Sequence, residues 1–229
     1  MLASYYFQVL LAAGCISAAP SPVEKRDTWG GALSLGPTKS HIVSAVTTLI
    51  PGVAPQKQNG MLFLWPGMSN GTGDLVQTTL ESWPDNAWCG AKPGEWCVRA
   101  SLFGGFGQLD ASASVVKGTD KVKIEYTKAT DSDTWTQMVT NADTGAQLST
   151  FSRLSGPMTG WGTGTECNNG CTGTVAEQVY IDTKITLASA DTTFIKTVGV
   201  SQGTTYTNMK MSSDNKILTI DRINVPKMG

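Results

Sequence analysis

Histidine is almost missing from this chain: His41 is the single one in 229 residues. Zinc sites built from several imidazoles are excluded by that count, and acid–base chemistry near neutral pH has one ordinary candidate. Charge is scarce as well, at 15% of residues with a net of −1. The molecule as a whole therefore does not steer polyanions, and no nucleic-acid partner is expected; attraction to a charged ligand must be local. No apolar run is long enough to span a bilayer, so no membrane partner is expected. Internal repeats, linkers, blocks of like charge and low-complexity tracts are absent too.

Against these absences stand 40% hydrophobic residues and 25 glycines, the composition of a globular protein. The beginning reads as processing sequence. The apolar stretch Val9 to Ile16 is followed by Ser17-Ala18-Ala19-Pro20, small residues that a signal peptidase accepts near Ala19. Residues 1–19 are expected to be a signal peptide, 20–26 a short pro-segment ending in Lys25-Arg26, and 27–229 one catalytic domain. The expected location is extracellular, and the expected state is a monomer. Cys15 falls in the signal, which leaves Cys89, Cys97, Cys167 and Cys171, an even number suited to an oxidising compartment. Four cysteines allow three connectivities, of which local pairing (89 with 97, 167 with 171) is the simplest. Zinc on the C-x3-C spacing is the competing use. Asn70-Gly71-Thr72 is a glycosylation sequon, as a secreted glycoprotein would carry.

Short runs rich in Val, Ile, Thr and aromatics recur between Gly, Asn, Asp and Pro clusters, and no long amphipathic helix is evident. The pattern predicts an all-β fold, a two-layer antiparallel sandwich of jelly-roll type with a polar groove on its concave sheet. The clearest runs are 40–50, 61–65, 74–83, 95–103, 121–128, 133–140, 175–187, 204–211 and 216–225. Period-2 reading sorts their side chains onto faces. Val76, Thr78 and Leu80 alternate with Gln77, Thr79 and Glu81, and Trp96, Val98, Ala100 and Leu102 with Cys97, Arg99 and Ser101. In the run from Val175, the residues Val179, Ile181 and Ile185 read as core and Gln178, Tyr180 and Asp182 as the polar side. Three strands thus each offer one chemical group: Gln77, Arg99 and Tyr180.

An amide, a guanidinium, a phenol and an imidazole suit β-elimination from a uronate. Abstracting the proton next to a carboxylate needs that carboxylate's developing charge stabilised, and donors from Gln77 and Arg99 would do so. A tyrosine whose pKa is lowered by nearby cations could take the C5 proton and return it to the leaving oxygen on the same side. The chain resembles the fungal glucuronan lyases, polysaccharide lyase family 20. The resemblance lies in Ser40-His41-Ile42-Val43-Ser44-Ala45, the block from Leu64 to Leu80, Trp88-Cys89-Gly90 with the stretch from Trp96 to Phe103, Gly156 to Cys167, and Gln178-Val179-Tyr180. It implies a secreted jelly-roll lyase that cuts β-1,4-linked polyglucuronate, an acidic polysaccharide, with His41, Gln77 and Tyr180 as catalytic residues and no cofactor for catalysis. It also implies a structural calcium ion, for which Asp221 is the candidate ligand. Trp161, read as lying in a Gly-rich loop, is the candidate sugar-stacking residue beside Arg99 as a second substrate contact.

Each residue also has an ordinary reading: a strand histidine, a surface amide, a tyrosine with a wet hydroxyl, an arginine paired to Glu95, a solvated aspartate. Two other functions compete. The layout Trp29-Gly30-Gly31-Ala32-Leu33, Leu75-Val76-Gln77-Thr78 and Val175-Ala176-Glu177 echoes the eqolisin glutamic peptidases, with Gln77 and Glu177 as the pair. A non-catalytic carbohydrate-binding lectin would use the same groove without chemistry. A glycosidase is disfavoured, since no closely spaced acidic pair appears on a predicted strand.

Overall fold

A computed structural model describes residues 27–229; the signal and pro-segment expectations lie outside the described residues. Seventeen strands follow one another: β1 (Thr28–Trp29), β2 (Ala32–Leu35), β3 (Ile42–Ile50), β4 (Met61–Ser69), β5 (Leu75–Ser82), β6 (Glu95–Gly104), β7 (Gly107–Asp110), β8 (Ser114–Lys117) and β9 (Val122–Lys128), then β10 (Thr134–Asn141), β11 (Gln147–Leu154), β12 (Gly160–Asn168), β13 (Gln178–Leu187), β14 (Gly199–Ser201), β15 (Thr205–Thr207), β16 (Lys210–Met211) and β17 (Ile217–Val225). One 3-10 turn, Phe194–Thr197, interrupts them. The strands form two antiparallel sheets. Nine belong to the first, ordered β14-β2-β12-β4-β5-β6-β7 with β1 on β12 and β8 on β6. Eight belong to the second, ordered β11-β10-β9-β3-β13-β17-β15 with β16 on β17. This is the all-β sandwich that the strand pattern predicts.

The inner faces meet in one core that includes Leu62, Leu64, Leu80 and Val98 from the first sheet and Ala45, Leu49, Ile124, Tyr126 and Ile185 from the second. Each buried aliphatic side chain of this kind contributes roughly 1.5–3 kcal/mol. Two of the largest buried aromatics keep their polar ends satisfied: Trp96 Nε1 donates to the Gly52 carbonyl at 2.8 Å and Trp135 Nε1 to the Gly156 carbonyl at 2.8 Å. Disulfides join Cys89 to Cys97 and Cys167 to Cys171, the local pairing. Among the described residues no helix is long and apolar enough to cross a membrane.

Strand parity follows the sequence on β5 and β6, where Val76, Leu80, Trp96, Val98, Ala100 and Leu102 all turn inward. It breaks on β13. Asp182 adopts a left-handed backbone, φ 53°, and the register against β3 slips between Ile181 and Lys184. This bulge exchanges the faces of the strand's two halves. Thr183, Ile185 and Leu187 are buried after it, whereas before it Gln178 and Tyr180 are buried along with Val179 and Ile181 is only half-buried.

Candidate functional site

The outer face of the nine-stranded sheet carries a groove, built where β12, β4 and β5 run side by side. Register fixes which residues share that face. Glu166 on β12 pairs with Phe63 on β4, Gly164 with Trp65, and Gly162 with Gly67, while Gly67 pairs in turn with Gln77 on β5. The outward side of β12 is therefore bare at 160, 162 and 164 and then bears Glu166 and Asn168. The glycines are needed. A Cβ on Gly164 would run into the Trp65 ring, and one on Gly162 would approach the Leu33 carbonyl to 2.9 Å. Trp65 thus lies on backbone, braced edge-on by Trp29 with ring centroids 6.5 Å apart at 90°.

The groove encloses about 410 Å³, with Gln77, Glu166, Trp65, Trp29, Phe103 and Asp27 in its lining. Its rim is apolar and open, with Trp29 51% and Phe103 45% exposed. Its charged lining residues are both acids, Asp27 and Glu166; no lysine or arginine lines it. Burial raises the pKa of Glu166 above the ordinary carboxylate value. The neighbouring Asn168 side chain and Trp65 indole oppose that rise, and the Asp27 carboxylate adds to it. The Trp65 Nε1 is buried without a well-formed hydrogen bond elsewhere, so its N–H is available to Glu166.

Beside the groove, Arg99 is occupied by two carboxylates. Its Nε and Nη2 donate to Glu81 at 2.7 and 3.0 Å, and its Nη1 meets Asp110 at 2.8 Å. The guanidinium also sits 4.7 Å over the Trp88 ring. The Glu81 side chain is fully buried and takes a further hydrogen bond from the Thr79 hydroxyl at 2.6 Å. The group read from the sequence as a substrate contact is therefore the counter-ion of a buried carboxylate.

The predicted site residues do not come together. Gln77 lines the groove, only 6% exposed. Tyr180 is fully buried between the sheets, on the opposite side of the first sheet from Gln77, and its hydroxyl has no partner. Burial, with a smaller effect of Tyr126 nearby, pushes its pKa well above the ordinary phenol value, the reverse of what a base needs. The expectation that Tyr180 faces a groove is corrected by the Asp182 bulge. His41 precedes β3 in the second sheet, half-buried, with its carbonyl accepting from the Ala188 N–H at 2.9 Å; it does not line the groove. Trp161 is not in a loop. It lies on β12 with its side chain inward, 2% exposed, because parity with Glu166 turns it to the core. Asp221 is exposed and accepts from Asn208 Nδ2 at 2.8 Å. No group of three or more His, Cys, Asp or Glu side chains gathers there or elsewhere among the described residues. Glu177 is exposed ahead of β13, in the other sheet from Gln77, so that pair is not formed either. The carboxylates that do share the groove are Asp27 and Glu166, and of these only Glu166 lies on a strand beside Trp65. Its signal in the sequence was the alternation of glycine with larger residues from Gly160 to Gly164, a strand with one bare face.

No family model matches the chain, and no curated protein matches it. The fold resembles solved structures of Scytalido-glutamic peptidase. One with a transition-state analog inhibitor has a TM-score of 0.54 at 17% identity over 87% of this chain and 98% of that one. Another, with a peptide-based transition-state analog, has a TM-score of 0.52 at 17% identity over 84% and 97%. SCP-B, a member of the eqolisin family of peptidases in complex with the tripeptide Ala-Ile-His, has a TM-score of 0.51 at 16% identity over 87% and 98%. At these identities the likeness concerns the fold.

Proposed function

We propose that this chain is an endopeptidase of the glutamic type, which binds an extended polypeptide across the outer face of the nine-stranded sheet and hydrolyses it with Gln77 and Glu166. The observation that carries the reading is the pairing, in one groove, of a buried amide with a desolvated carboxylate. Three fold neighbours are peptidases of this kind, two of them holding transition-state analogs. Charge supports a peptide over a uronate chain, because a groove lined by Asp27 and Glu166 without a cation repels a polyanion. Lys92, Arg153 and Lys184 do not line it.

The rows that carry Gln77 and Glu166 are four residues apart on β4, about 13 Å along the strand. The two strands also lie on either side of β4, roughly 10 Å apart across the sheet, so a bound peptide would lie between the two side chains, its scissile carbonyl toward Gln77 and the attacking water toward Glu166. The Glu166 carboxylate takes a proton from the water as the water oxygen attacks the carbonyl carbon. The Gln77 amide donates to the resulting oxyanion. The C–N bond then breaks, and the proton on Glu166 passes to the leaving nitrogen. A raised pKa makes Glu166 a stronger base, and moves the acid limb of the activity profile above that of an ordinary glutamate. Trp29, Trp65 and Phe103 supply apolar walls for side chains on either side of the cut.

The test is incubation of the secreted protein with an unfolded protein substrate and, separately, with glucuronan, between pH 3 and 7. Peptide fragments that disappear on Gln77→Ala support the proposal. Ultraviolet absorbance of unsaturated uronate ends from glucuronan, without proteolysis, overturns it.

A further inference from the structure

Asp27, which follows the dibasic pair Lys25-Arg26 in sequence, lines the groove. β1 pairs antiparallel with β12, placing Thr28 opposite Cys167 and Trp29 opposite Glu166. One further step of that register sets Asp27 opposite Asn168, and Asp27, Trp29, Glu166 and Asn168 all line the same groove. The ladder is held beyond Trp29 by the Gly30 N–H, which donates to the Thr165 carbonyl at 2.9 Å.

We propose that cleavage after Arg26 places the new α-amino group of Asp27 in the groove beside Glu166, as the cation the site otherwise lacks. The step is hydrolysis by a protease specific for dibasic sites: water splits the Arg26–Asp27 amide into an Arg26 carboxylate and an Asp27 amine. Before cleavage that nitrogen is an uncharged amide. Afterwards it is an amine with an ordinary pKa of about 7.7–8.0, protonated throughout the acid range. Two residues separate it from the Trp29–Glu166 pair, roughly 7 Å along the strand. The other charges facing Glu166 are the Asp27 carboxylate on β1's side and, beyond Phe63, Glu81, which Arg99 neutralises together with Asp110. Maturation therefore favours the ionised form of Glu166, opposing Asp27. The consequence for catalysis rests on the peptidase reading; the electrostatic change does not.

The experiment compares three full-length forms: native, Lys25→Ala/Arg26→Ala, and one with a single alanine inserted between Arg26 and Asp27. Each mature N-terminus is read by mass spectrometry. Tryptophan fluorescence against pH follows Glu166 through Trp65 and Trp29, and the transition is assigned by its loss in Glu166→Gln. The native midpoint is expected roughly half a pH unit or more below that of the uncleavable form, with the insertion in between. Equal midpoints in all three, or a native protein still carrying residues before Asp27, overturn the proposal. Because the titration needs no turnover, a failed peptidase assay leaves this result standing.

Discussion

Replacing Arg99 with methionine separates a structural guanidinium from a substrate-binding one. Glu81 has no side-chain exposure, and Arg99 supplies two of its hydrogen bonds at 2.7 and 3.0 Å. Removing one partner of a buried pair typically costs about 3–5 kcal/mol. Loss of the contact over Trp88 adds about 0.5–1 kcal/mol. At about 2–4 °C per kcal/mol for a domain of this size, a loss of about 4 kcal/mol should lower Tm by about 8–16 °C at pH 7. Urea unfolding at pH 7 measures the loss directly. Glu81→Gln/Arg99→Met, which removes the stranded charge, should recover most of the loss. An Arg99→Met protein of native stability at pH 7 with a raised KM for a uronate polymer would refute the reasoning and return the guanidinium to substrate binding.

Other positions test the site and the frame around it. Gly164→Ala puts a methyl into the Trp65 ring; the overpacking should cost about 1–3 kcal/mol and perturb tryptophan fluorescence, with a loss of activity that tracks the displaced indole. Tyr180→Phe removes a buried hydroxyl that has no partner, so thermal unfolding should show unchanged stability or a gain of about 1 kcal/mol, with kcat/KM unaltered. Asp191 ties the loop before β3: burial alone would raise its pKa, but hydrogen bonds from Thr193, the Lys39 N–H and Thr38 outweigh this and hold it well below the usual carboxylate range. A depressed folded pKa gives stability that is fully present above the unfolded value, about 3.9, and is lost progressively as pH falls from there through the lower folded value. Asp191→Asn should therefore destabilise by about 2 kcal/mol at pH 7, and by progressively less below pH 4, in urea unfolding.

Much of the fold was legible because its strands alternate cleanly. On β5 and β6 a period of two put Gln77 and Arg99 on the outer face, and both are there. Local cysteine pairing was legible from spacing. What Arg99 does on its face was not, since Glu81 and Asp110 come to it from neighbouring strands that only the sheet order brings together. β13 misled for a local reason. One residue with φ above zero, Asp182, inverts the faces on either side of it, and an aspartate carries little warning of that. β12 was read as loop because glycine usually marks turns. Its glycines instead clear a surface for Trp65, and reading them as a loop hid Glu166 and misplaced Trp161.

The central claim turns on Glu166. Steady-state cleavage of an unfolded protein substrate by Glu166→Gln, with folding checked by circular dichroism, measures it most directly. The account predicts a loss of about 10²–10⁴ in kcat/KM, the usual contribution of a positioned base, with the fold intact. A Glu166→Gln protein that cleaves at the native rate would contradict it.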